Sequence, residues 1–203
     1  MALQNRVTPF GQIVALEGRG AIMGNRGVLH DERRNLVRQW QVRRWISCRL
    51  EWRGRTRIVM APRRYTELFF LDEAASLAAG HRPCAECRNA DYKRFQSLWE
   101  ACFGVRAGAD AMDAVLHAER LDGRTKRTFR AGLDTLPNGT YILDDDGVAR
   151  LIWNDAAIEW GDAGYGRRIA RPSSGDVEVL TPRSIVEIIR AGFVPAVHPT
   201  AHV

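Results

Sequence analysis

The chain has 203 residues, 45% of them hydrophobic, with a formal net charge of +6 and a pI near 9.6. That length buries a real core as one large domain or two small ones. No apolar run approaches the roughly 18 residues of a membrane span, and the start, Met1 to Arg6, lacks the apolar core of a signal peptide. A cytoplasmic protein with no membrane partner is expected, and its four cysteines then argue for metal or free thiols over disulfides.

In chain order, Thr8 to Leu16 reads as a first strand around Phe10, Ile13 and Val14. Residues 20–31 follow as a glycine-punctuated loop holding Asn25, Arg26, His30 and Asp31. Such a loop lets backbone approach a ligand closely and offers an amide, a guanidinium and a His/Asp pair. Asn25, His30 and Asp31 are therefore the candidate catalytic groups and Arg26 a nucleic-acid contact; a structural turn with Asp31 as a cap is the competing reading. From Arg33 to Arg64 eleven arginines face one acid, Glu51, although the chain has only two lysines, Lys93 and Lys126. Clustering of that kind is the footprint of a phosphate-binding surface, so nucleic acid, with DNA favoured, is the expected partner.

Trp45 to Trp52 alternates in polarity, Arg53-Gly54-Arg55 turns the chain and Arg57 to Met60 returns it. This predicts a basic β-hairpin whose Arg49, Arg53, Arg55 and Arg57, with Arg63 and Arg64 beyond, contact phosphates. Cys48, on the face of Ile46 and Leu50, is either a core thiol or a ligand arriving from the hairpin. Leu68 to Leu71 reads as a buried strand, Asp72 as a cap, Glu73 to Ala79 as a short helix and Gly80 as its left-handed stop. The knuckle Cys84-Ala-Glu-Cys87 then places two thiolates where they can grip one tetrahedral ion, and His81 adds a third donor at H-x-x-C spacing. The expected Zn2+ ligands are Cys48, His81, Cys84 and Cys87, with His117 or His30 as substitutes for His81. Asp91 to Phe103 is an amphipathic helix whose rise carries Cys102 some 16 Å from its start, so Cys102 belongs to the core.

Residues 65–95, through Phe69-Phe70, Ala78-Ala79-Gly80, Arg82-Pro83-Cys84, Cys87 and Arg88, resemble the zinc-binding module of the bacterial Ada alkylation-response family. The resemblance implies that Cys84 and Cys87 are the second ligand pair of a four-cysteine zinc site. In that family the module touches DNA and repairs methylated phosphate. Arg82 and Arg88, inside the match, join the expected nucleic-acid contacts. The family's first ligand pair is two cysteines spaced by three residues; here Cys48 is the one cysteine upstream, and His81 stands where the family has an aromatic residue.

Gly104 to Gly108 breaks the chain before a helix from Ala109 to Leu121. Arg124 to Arg130 is a second basic run in which Lys126 and Arg127 can follow phosphates and Phe129 can stack on a base; a solvated loop anchored by one buried Phe is the alternative. From Thr135 the pattern turns to β, with strands at Thr140–Leu143, Val148–Trp153, Ala157–Trp160 and Val177–Leu180. Gly161 to Pro172 reads as a flexible Gly/Arg segment, Thr181 as the cap of a last helix ended by Gly192, and the tail 193–198 as an edge strand. The expected fold is α+β: a β-hairpin and Cys/His zinc module, a helical middle, and a C-terminal antiparallel β-meander with one helix. Its parts are 1–104, 105–130 and 131–203, or one continuous domain. The expected function is a zinc-stabilised DNA-binding protein acting in DNA repair or in recognition or excision of modified or damaged DNA, with glycosylase or nuclease chemistry open. A non-catalytic regulator or adaptor is the alternative, as is direct alkyl acceptance by Cys48 or Cys84.

Overall fold

The computed structural model of the chain describes residues 2–54, 56 and 58–203. The first half runs β1 (Gln4–Val7), β2 (Ile13–Ala15), β3 (Ile22–Asn25), β4 (Ile46–Cys48), β5 (Leu68–Phe70), α1 (Glu73–Ala78) and β6 (Arg82–Pro83). Helices α2 (Asn89–Phe103) and α3 (Ala109–Arg120) fill the middle, followed by β7 (Leu121–Asp122), β8 (Thr125–Lys126) and β9 (Phe129–Gly132). The last part holds β10 (Tyr141–Leu143), β11 (Ala149–Trp153), β12 (Ala156–Trp160), β13 (Tyr165–Ala170), β14 (Asp176–Val179) and α4 (Arg183–Arg190). The α+β class holds. One sheet has the order β2-β1-β5-β3-β4-β6 and the other β13-β12-β11-β10-β14-β9, with β7-β8 a separate ribbon.

The hairpin expected from 45 to 60 is replaced by longer-range pairing. Strand β4 lies antiparallel to β3, with Met23 opposite Cys48 and Asn25 opposite Ile46, and parallel to β6 on its other edge. Gly24 explains the choice of partner: a Cβ there would lie 2.4 Å from the Ile46 carbonyl and 2.9 Å from Phe70, so only glycine admits this approach. Arg55 and Arg57 fall outside the described residues. In the second half, the segment read as flexible contains β13, an edge strand whose side chains, Tyr165 apart, are exposed or half-buried. Its ladder to β12 is backbone-made, so no hydrophobic alternation marks it. The second basic run is also partly strand, since β9 pairs with β14.

Both sheets close on one core. Val7, Leu68 and Phe70 meet Tyr141, Leu151 and Ile158 there, with Ala74 and Ala78 of α1 between them. A fully buried side chain of this size contributes about 1.5–3 kcal/mol. Phe95, Trp99, Met112, Leu116, Ile185 and Ile188 form a second cluster among α2, α3 and α4. Asp72 caps α1 through the Ala75 N–H at 2.8 Å and also accepts from the Tyr165 hydroxyl at 2.6 Å, which stands 2.8 Å from that of Tyr141. Burial pushes the Asp72 carboxyl up, against the pull of these donors. The tail adds no strand: the Ala196 and His198 amides donate to Glu73 and Asp72. Thr181 does not cap α4 either, because its hydroxyl accepts from the Tyr141 amide at 2.9 Å and Pro182 holds the cap position.

Candidate metal centre

The parallel pairing of β4 with β6 sets Ser47 beside Pro83, and the Cys84 amide donates to the Ser47 carbonyl at 2.9 Å. One residue further along each strand are Cys48 and Cys84. A tight turn, closed by the Arg88 amide on the Cys84 carbonyl at 3.1 Å, then brings Cys87 back to them just before α2. The sulfurs of Cys48, Cys84 and Cys87 lie within 4.8 Å of one another, and all three residues are buried. Around one tetrahedral ion at about 2.3 Å per bond, thiolate sulfurs sit about 3.8 Å apart, so a small contraction closes this set on a metal. The donor set suits a thiophilic ion such as zinc. It leaves one position of a tetrahedron to a fourth donor.

The cluster is also prepared electrostatically. The Cys84 thiol is pushed down to about 5, first by the Cys48 S–H donating to its sulfur and then, against desolvation, by the Cys87 and Glu86 amides; the Glu86 amide lies 3.4 Å away. Cys48 is pushed up by making that donation and by burial, and Cys87 by burial. Of the three, Cys84 is the sulfur whose surroundings favour the thiolate. Met23, Ile46, Trp52 and Phe69 wrap it in apolar surface. The buried Trp52 indole N–H has no acceptor among the described residues.

His81 does not join the three cysteines. It is fully buried, its Nε2 accepts from Arg26 Nε at 3.2 Å, and its ring packs against Phe70 and Trp45. Burial, reinforced by Arg26, Arg120 and Lys126, holds it neutral, well below the usual imidazole range. Neither substitute joins the cluster. His30 is engaged with the Thr66 hydroxyl at 2.6 Å and the Ala61 carbonyl at 3.2 Å, and His117 with Arg120 and Trp40. Cys102 sits far along α2, facing the Glu187 carbonyl at 3.6 Å.

The expected catalytic trio does not assemble either. Asp31 spends its carboxylate on its own turn, accepting from the Arg33 and Asn35 amides at 2.9 and 2.8 Å, while His30 turns inward. Asn25 is half-buried in β3. Two of the expected phosphate contacts are structural instead. Arg82 is buried and bidentate to Asp113 at 2.9 and 2.7 Å. Arg88 ties the knuckle to its surroundings through Glu73 at 2.5 Å, Asp91 at 2.9 Å and Ser47 at 3.0 Å. Arg26 is buried, with Lys126 half-buried near it, and Arg127 is exposed beside Asp122. By contrast every described arginine from Arg33 to Arg64, including Arg49, Arg53, Arg63 and Arg64, is exposed. None of these pairs with a carboxylate among the described residues.

What sequence reading missed is Arg120. It lies fully buried at the end of α3, its stem packed where a Cβ on Gly80 would sit, 2.6 Å from its Cδ, with Nη1 donating to the Gly80 carbonyl at 2.8 Å. The readable signal was Gly80 itself, whose φ of 86° favours glycine and whose missing Cβ leaves the space that Arg120 fills. No protein-family model matches the chain, and no curated protein or solved structure matches it.

Proposed function

We propose that the chain is a zinc-stabilised DNA-binding protein that recognises modified or damaged DNA. In this reading Cys48, Cys84 and Cys87 hold the ion and the exposed arginines of 33–64 neutralise backbone phosphates. The observation that carries it is the three-thiol cluster at the end of β4, the strand that lies in the middle of the most basic part of the chain. Thiolates tied by an ion would fix β4, β6 and the start of α2 to one another, giving the arginine-rich segment a rigid base. Phosphate neutralisation by unpaired exposed arginines makes affinity fall steeply with salt. The resemblance to the Ada zinc module of residues 65–95 supports the same reading.

The test begins with elemental analysis of the purified chain and of Cys48→Ser and Cys84→Ser variants. One zinc per chain, lost in both variants, is expected. The metal-loaded protein should then bind duplex or single-stranded DNA with a log K that drops linearly with log salt. Absence of metal, or affinity indifferent to salt, overturns the reading.

A further inference from the structure

A large cavity of the molecule is lined by none of Asn25, His30 and Asp31, although Arg26, next to Asn25, forms part of its wall. About 950 Å³ in volume, it opens between the β1–β2 turn, the 36–40 segment and the chain from Arg120 to Lys126. Its lining includes five cationic side chains, Arg26, Arg38, Arg120, Arg124 and Lys126, and no acidic one. The two deepest, Arg26 and Arg120, are 1% exposed. The Arg26 guanidinium stands 3.8 Å and the Arg120 guanidinium 3.9 Å from the Trp45 ring centroid, so both are gathered on one indole.

Neither guanidinium forms an ion pair among the described residues. Arg26 donates to the Gly11 carbonyl at 2.9 Å and to neutral His81; Arg120 donates to the Gly80 and Arg43 carbonyls. Among the described residues the carboxylate acting on Arg120 is Asp113, already held bidentate by Arg82. Arg26 Nη2 and Arg120 Nε are buried with no acceptor among the described residues, and so is His81 Nδ1. Each of these orphans is a donor. Lys126 sends its ammonium onto the Ala78 carbonyl, and burial followed by Arg26 and Arg120 pushes it down to about 7. Burying uncompensated positive charge is costly, and the cost is removed by an anion entering the space.

We propose that this cavity is a binding site for a phosphomonoester, with Arg26, Arg120 and Lys126 holding the phosphate and the apolar wall around Phe10 and Trp40 taking the group that carries it. Guanidinium forks match phosphate oxygens bidentately, and a dianion offsets several cations better than a carboxylate does. Phe10 and Trp40 are half-buried at the cavity, where a nucleobase can lie on an aromatic face. The volume suits a mononucleotide. The ligand is a free nucleotide or the phosphorylated end of a nucleic-acid strand, which share this chemistry. The site uses none of the three cysteines, and of the exposed arginines of 33–64 it shares Arg38.

The full chain is titrated with inorganic phosphate, a nucleoside 5′-monophosphate, and a short single strand carrying either a 5′-phosphate or a 5′-hydroxyl, followed by Tm and tryptophan fluorescence. Phosphate should raise Tm, and the monophosphate should bind more tightly than phosphate. Arg26→Met and Lys126→Met should each weaken both by roughly tenfold or more, the loss expected of a charge-assisted contact. A strand end as ligand makes the 5′-phosphorylated strand bind more tightly than the monophosphate, an advantage over the 5′-hydroxyl strand that vanishes in the variants; a free nucleotide reverses that order. Should Arg26→Met fail to fold, Lys126→Met on the half-buried side of the cavity decides. Unchanged Tm and fluorescence at millimolar phosphate and monophosphate, or wild-type affinity in the folded variants, overturns the proposal.

Discussion

Arg82 and Arg88 on one side, Arg26 and Arg120 on the other, are buried to nearly the same depth and differ in what surrounds them. The first pair is met by carboxylates: Asp113 takes two N–H groups of Arg82, and Glu73 with Asp91 takes those of Arg88. The second pair is met by carbonyls, a neutral imidazole and the face of Trp45. A buried arginine is therefore no sign of a site by itself. The missing counter-charge is the sign, because a fold that needed only structural arginines would have paired them.

That contrast can be broken by mutation, starting where the effect is largest. Asp113→Ala strands Arg82 in the interior and should cost about 3–5 kcal/mol, read as a fall in denaturation midpoint at constant slope. Chelation should come next. If free metal stands about a thousandfold above its Kd, its removal withdraws about 4 kcal/mol. Because Cys48 and Cys87 start as thiols, metal uptake should release their protons, and affinity should tighten as pH rises, a dependence seen by calorimetry in buffers of different ionisation enthalpy. Arg26→Met should do the opposite of Asp113→Ala: deleting a charge that has no carboxylate partner among the described residues should cost less than about 1 kcal/mol or raise the Tm.

Lys126 sharpens the comparison through pH. Its folded pKa of about 7 lies below the ordinary lysine value of 10.5, so between those values the unfolded chain binds more protons than the folded one. Stability of the ligand-free protein should therefore rise with pH across that window, and Lys126→Met should flatten the rise. The smallest stability effects belong to Arg44→Ala, Arg49→Ala and Arg64→Ala, each within about 0.5 kcal/mol. These same changes should reduce the salt slope of DNA binding by up to about 0.9 for each phosphate left without its arginine.

Local chemistry made much of this legible in advance. Asp72 and Gly80 bracket α1, the C-x-x-C knuckle forms its turn, and the strands from β10 to β12 fall between the turns expected for them, because each is decided by neighbours within a few residues. The losses share a cause. β4 found partners far away in sequence, at the invitation of Gly24; β13 is an exposed edge whose side chains carry no pattern. His81 looks like a ligand by spacing, yet its ring was claimed by Arg26, Trp45 and Phe70, which only the folded chain brings near. The cationic cavity was invisible for the same reason: Arg26 is far in sequence from Arg120 and Lys126, and the absence of an acid from the lining is a fact of three dimensions.

The contacts between α1 and the far end of the described chain bear on when the protein can fold. Glu73 and Asp72 accept the amides of Ala196 and His198, and Asp72 also takes the hydroxyl of Tyr165. A chain emerging from the ribosome has made α1 and all three cysteines of the cluster long before those donors exist. During that interval two acidic groups destined for burial lack part of their hydrogen bonding, and the first sheet lacks the second against which it packs. Glu73, which also holds Arg88 next to Cys87, completes its hydrogen bonding only once Ala196 has been made, so the first half gains its last polar contacts after translation has passed His198.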